Sequence, residues 1–294
     1  MRAGNSNFWW RMRGYAFAAP FLVLFFSFVI GPLFYGFLLS FMKWDMLTSL
    51  PPQFQGLANY REAVTDAYFW KALRITAAFV VLCVPLTVCT ALAMGTGLAA
   101  LRHRQWLFRS AFILPTMLNV SVVCVLWQWF YNSEFGLFNH YLRQWFGVEG
   151  KWLQEQGWAL GSVVVMTLWW TVGNPSIILM AGIQQIPSSY YEAASVDGAG
   201  PWQKFRHITL PGVRPVLLFV IIINIIGAFQ VFGQTYLLTR GGPELGTRVL
   251  VQYIYELAFN FYRMGYAAAV SWLLFVVIVG FSVIQYRAMK ERDQ

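Results

Sequence analysis

Six long apolar runs alternate with shorter polar connections along this chain, at about 15–42, 72–101, 110–131, 159–186, 213–238 and 265–286. Each reaches the ~20 residues that an α-helix rising ~1.5 Å per residue needs to cross ~30 Å of hydrocarbon. The pattern predicts an all-α integral membrane protein with six transmembrane helices. The first run is longer than the 7–15 apolar residues of a signal-peptide core, so it reads as an uncleaved span, locally bent at Pro20 and Pro32. Arg74 snorkels at the start of the second span. Gly173-Asn174-Pro175 breaks the fourth near its middle, and Pro215 falls in the first turn of the fifth. The connections are distinct in character. Residues 43–71 hold Pro51-Pro52 and an amphipathic stretch at 58–68; 132–157 is polar and Trp-rich; 239–264 contains Gly241-Gly242-Pro243. The organisation is an arm, first helix and outer connection over 1–71, a five-helix core over 72–286 with a polar loop at 187–212, and a charged tail over 287–294.

Composition supports the bilayer as solvent. The chain has 294 residues, 58% hydrophobic and 11% charged, whereas a soluble domain carries about 25% charged residues. The net charge of +9 does not point to nucleic acid, because the basic residues sit in separate short connections rather than in a stripe with interleaved aromatics. Six spans place both termini on one side. That side holds twelve basic and four acidic residues, against nine and eight on the other. The positive-inside rule makes the termini and the 187–212 loop cytoplasmic. Cys83, Cys89 and Cys124 lie in apolar runs as small hydrophobes, and His103, His140 and His207 form no metal-binding pattern.

The most polar long stretch of the second half is 190–211, YYEAASVDGAGPWQKFRHITLP. Ser189 and Glu192 have the spacing of a capping box, Gly198 suits a left-handed helix end, and Pro201 suits the first turn of a second helix. A short helix, a tight turn and another short helix are expected. Glu192, Ala193, Ala194, then Asp197-Gly198, then Ile208, Leu210 and Pro211 at their spacing resemble the EAA loop of permease subunits in binding-protein-dependent ABC importers. Further segments resemble the same family: Phe112-Ile113-Leu114-Pro115, Gly136-Leu137-Phe138-Asn139, the 182–187 stretch, Thr239-Arg240-Gly241-Gly242-Pro243 and Met264-Gly265-Tyr266-Ala267-Ala268. Together they cover about 57–286 and are most similar to the carbohydrate-uptake branch, the subunit type of the glycerol-3-phosphate and maltose permeases.

The resemblance implies a type I importer permease fold in a bacterial inner membrane. It also implies a second homologous permease, two ATPase subunits that bind ATP and Mg and dock on the EAA loop, and an extracytoplasmic solute-binding protein. The chain itself is then no enzyme and binds no cofactor. Two observations made on the residues alone agree. The spans hold almost no ionisable side chain away from their ends, whereas ion-coupled carriers use intramembrane carboxylates or His. No GxxxxGK[ST] nucleotide loop occurs.

Candidate pathway residues are uncharged. Trp169, Thr171, Gly173 and Asn174 cluster at the break in the fourth span, where irregular polar backbone is tolerated only inside protein or beside a cavity. Thr116 and Asn119 on the third span and Asn224, Gln230 and Gln234 on the fifth add hydroxyl and amide groups suited to a neutral sugar or polyol. The resemblance adds Val120, Ser176, Ala228 and Val231 to the set. The alternatives are an ATP-independent carrier, which lacks its coupling charges here, and a lipid-linked transferase, for which Asp45, Glu62, Asp66 and Glu134 supply no compelling pair. The charge count makes a direct prediction: alkaline phosphatase fused after Gln294 should be inactive, and fused within 239–264 active. An active C-terminal fusion would reverse the topology.

Overall fold

The computed structural model describes residues 17–47, 51–101 and 105–290. The basic residues Arg102 and Arg104 and those of the first sixteen positions lie outside them. Contacts divide the chain into two units.

The first unit takes in the described residues up to Asp66 together with Ile254–Leu274. Helix α1, Phe17–Leu39, contains a π-turn at Phe26–Ile30. Pro32 has no N–H to offer the Phe28 carbonyl, and the N–H of Gly31 bonds back to Phe26 O instead. The expected local bend is therefore a widened turn. A two-stranded antiparallel ribbon follows, β1 (Met42–Lys43) with β2 (Gln53–Phe54), pairing Met42 with Phe54 and Lys43 with Gln53. The amphipathic stretch forms α2, Ala58–Thr65. Its buried Asn59 donates to Ser40 O at 2.8 Å and Met42 O at 3.0 Å, which closes the carbonyl ends of α1 and β1. Arg263 pairs with Glu62 at 2.7 Å, and Tyr266 donates to Asp66 at 2.7 Å.

The second unit takes Ala67–Tyr253 and the described residues from Phe275 onward. Its longest single helix is α3, Ala67–Ala100, with Pro85 inside. Buried positions recur along it at Ala72, Thr76, Phe79, Cys83, Thr87, Ala91, Gly95 and Leu98, the three-to-four spacing of one helical face. The fourth run forms α7, Gln156–Thr171, and α8, Gly173–Gln184, bent by 50°. The break falls where Gly173-Asn174-Pro175 places it. Helix α8 packs on α3 so closely that a Cβ on Gly95 would sit 2.9 Å from Ser176 O and 3.1 Å from Met180 N.

Three expectations need correction. The third run is not one straight helix. Helix α4 (Gln105–Ile113) passes into a 3₁₀ turn at Leu114–Met117, and α5 (Val120–Phe130) leaves at 97° to it. Pro115 favours the tight turn, Leu118 is extended, and Asn119 starts α5 by accepting the Ser121 N–H at 3.0 Å. The fifth run begins earlier and ends earlier than 213–238. Helix α10 spans Pro201–Phe229, chain breaks helix at 230–232, and α11 covers Gly233–Thr239. The second helix of the polar loop is therefore not short: it continues into the span through a π-turn at Phe205–Thr209.

Two connections hold helices that the apolar pattern did not assign. Helix α6, Leu137–Phe146, is seated by Asn139, which is fully buried and uses its whole amide. Its nitrogen donates to Ser133 O and Gly150 O, and its oxygen accepts from Gly150 N and Trp152 Nε1. Helix α12, Leu250–Tyr255, begins with Leu250 N donating to Thr76 Oγ1 at 2.8 Å and continues as a π-turn at Glu256–Asn260. The last helix, α13, covers Met264–Lys290.

The closeness of α3 to α8 is testable. Gly95→Leu should destabilise the protein by about 1–3 kcal/mol through overpacking, seen as a lower thermal midpoint in detergent. Gly97→Leu, whose Cβ meets open space, should leave the midpoint nearly unchanged.

Candidate functional site

The polar loop begins with helix α9, Ser188–Val196. The capping box expected of Ser189 and Glu192 does not form. Pro187 occupies the cap position with φ −58° and ψ 133°, and no side chain caps the helix. Proline's fixed φ and missing N–H set the start one residue before Ser188. Glu192 and Ala193 are exposed, Ala194 is half-buried, and no α9 residue is buried. The end forms as expected. Gly198 takes φ +77°, and Ala199 N–H reaches back to Ala194 O at 2.8 Å. Asp197 and Gly198 are exposed at this turn. Gln203 Oε1 then accepts the Gly200 N–H at 2.7 Å, and Pro201 starts α10. Ile208 lies in the π-turn of α10, and Leu210 and Pro211 directly follow it.

Two hydrogen bonds tie α9 to the base of α10. The Tyr191 hydroxyl lies 3.0 Å from Thr209 Oγ1, and Lys204 Nζ donates to Ser195 Oγ at 2.7 Å.

A cavity of about 280 Å³ lies between α3, the α7–α8 break and α10. It brings together Thr171, Asn174, Asn224, Ala228 and Val231. Gln234 on α11 also lines it, as do Cys83 and Thr87 on α3 and Thr167 on α7. Among the described residues that line it none is Asp, Glu, Lys, Arg or His. Asn224 donates to Val220 O at 2.8 Å, which satisfies one amide hydrogen.

Other candidates sit elsewhere. Thr116 donates to Ile113 O at 2.7 Å within the 3₁₀ turn, and Asn119 caps α5. Trp169 packs against Trp127 with ring centroids 5.7 Å apart. Ser176 is buried against α3 and donates to Val172 O. Gly173 touches the Phe112 backbone, where a Cβ would fall 1.9 Å from the carbonyl oxygen. Gln230 is exposed at the end of α10, its N–H bonded to Ile226 O. The α3 and α7 wall had only isolated Thr and Cys in apolar runs as a signal.

The architecture is that of an all-α membrane permease with broken spans and a helical polar loop. Residues 88–291 match the family of binding-protein-dependent transport system inner membrane components. The chain belongs to that family, and is thus a permease subunit rather than an enzyme. It is 34% identical over 282 residues to the probable ABC transporter permease protein YesP of Bacillus subtilis (strain 168), covering 94% of this chain and 90% of the relative. It is 33% identical over 259 residues to the sulfoquinovosyl glycerol transport system permease protein SmoG of Agrobacterium fabrum, covering 86% and 82%. In fold it matches a chain from the crystal structure of a bacterial ABC transporter involved in import of the acidic polysaccharide alginate, with TM-score 0.82, 21% identity and coverage of 97% and 99%. These relations give the type I ABC importer permease fold.

The turn after α9 depends on a backbone conformation that costs an L-residue with a Cβ roughly 1–2 kcal/mol. Gly198→Val should therefore loosen the Ala199 amide, raising its hydrogen-exchange rate about 5- to 30-fold. Unchanged protection there would remove Gly198 from this role.

Proposed function

We propose that this chain forms the translocation pathway for a sugar or related polyol in an ATP-driven importer, with solute passing through the cavity at Thr171, Asn174 and Asn224. The observation that carries the reading is the cavity lining: amides and hydroxyls without a charged group, placed where two interrupted helices meet. Uncharged donors and acceptors complement hydroxyls, and the apolar remainder of the wall suits sugar C–H faces. SmoG's name refers to a sugar-derived solute and the structural neighbour's title to a polysaccharide, which supports the carbohydrate class. The polysaccharide in the structural neighbour's title is acidic, and the lean toward a neutral solute rests on the uncharged lining.

Membership of the family supports the following partners. A solute-binding protein delivers at the outer face, a second homologous permease completes the pathway, and two ATPase subunits hold ATP and Mg. The exposed face of α9 with Glu192 and Ala193, closed by Gly198 and followed by Ile208, Leu210 and Pro211, is the docking element for the ATPase. Both termini are cytoplasmic, on the side of the excess positive charge.

Purification of the tagged chain from its own host in mild detergent tests this. An ATPase and a second permease should co-purify at equal dose. Asn174→Leu should leave that complex intact and lower uptake of the host's growth sugar about 5- to 10-fold, the value of one neutral hydrogen bond. A chain that purifies alone and still moves solute without ATP would overturn the proposal in favour of an independent carrier.

A further inference from the structure

The tie between α9 and α10 assigns a role to a residue outside the family motif. Tyr191 and Ser195 are four residues apart, so they share one face of α9, and both bond to α10. Glu192 and Ala193 are exposed, as is Val196 at 88%. One face of the helix is thus fastened and another is free to meet a partner.

The two ties are unequal. Lys204 and Ser195 meet in the open, where water competes for both groups. Thr209 is 4% exposed, and its hydroxyl, 3.0 Å from that of Tyr191, also lies 3.5 Å from Lys204 O. That bond lies in the drier place of the two. It also lands in the π-turn at Phe205–Thr209, where the Leu210 N–H reaches Phe205 O and the helix is one residue wider than an α-turn.

We propose that Tyr191 is a positioning residue for energy coupling, its hydroxyl passing displacement between α9 and α10 through Thr209. The inference rests on α9 being the ATPase-docking helix. Without the bond, α9 keeps its shape and its exposed face, but it shifts against the span instead of moving with it.

The test uses the complete transporter, co-expressed from its host genes and reconstituted in vesicles, with the cognate binding protein purified carrying its host solute. Basal and binding-protein-stimulated ATP hydrolysis are compared for the parent, Tyr191→Phe, Thr209→Val, the double variant and Thr209→Ser. Each single variant should lower stimulation about 3- to 10-fold, the range one hydrogen bond spans, with basal hydrolysis, ATPase retention and thermal midpoint unchanged. The double variant should be no worse than either single one, and Thr209→Ser should retain stimulation.

Unchanged stimulation in both single variants would overturn the proposal and leave the docking reading standing. So would losses that multiply in the double variant, or a midpoint that falls in parallel with stimulation. A parent that retains no ATPase would overturn the docking reading and this proposal together.

Discussion

Hydrocarbon offers a peptide group no hydrogen-bond partner, so a membrane helix can be interrupted only where protein or a polar cavity receives the loose ends. The second unit is arranged around three such interruptions. At α4–α5 the repair is part local and part from α7: the Asn119 side chain takes the Ser121 N–H, and Trp170 Nε1 donates to Leu118 O at 3.2 Å. At α7–α8 the chain stays helical on both sides, and Gly173 lets the Phe112 backbone close over the bend. At 230–232 the end of α10 gives way to α11. The last two breaks supply Thr171 and Asn174 on one side and Ala228, Val231 and Gln234 on the other. The cavity is thus where interrupted helices converge, and its polar lining follows from the same constraint that limits where breaks can occur.

Much of this was legible because bilayer thickness imposes a length on apolar runs that few other constraints match. The break at Gly173-Asn174-Pro175 was visible because glycine, an amide and proline together are costly in lipid unless they are used. Gly198 was visible because a glycine after a polar helix has one common conformational reason to be there.

Other features were hidden by competition between neighbouring signals. Ser189 and Glu192 have capping-box spacing, but Pro187 sits two residues earlier and dictates the start. Pro115 and Asn119 each marked a possible bend, yet neither alone implies 97°. The start of α10 was obscured because 201–209 is polar, and polarity says nothing against a helix whose first turns lie outside hydrocarbon. The α3 wall of the cavity stayed hidden because Thr87 and Cys83 are as much at home in a packed helix as beside a solute. Asn139 was noticed only through its resemblance. Its four hydrogen bonds depend on Ser133, Gly150 and Trp152, which no local pattern links.

The distribution of charge limits how work can reach the cavity. The described lining residues hold no carboxylate, lysine, arginine or imidazole, the groups on which ion-coupled carriers rely. On the proposed reading, force arrives mechanically from the ATPase, and a helix is the stiffest available conductor. Helix α10 starts at the turn after α9 and reaches the cavity at Val220, Asn224 and Ala228 within one continuous element. From Pro201 to Ala228 that is about 40 Å at ~1.5 Å per residue. The helix is softened at the π-turn, where α9 is fastened to it, and at Pro215, which offers no N–H to the Pro211 carbonyl; both lie on the loop side of Val220, Asn224 and Ala228. On the proposed coupling, displacement of α9 would move one cavity wall against α3 and α7.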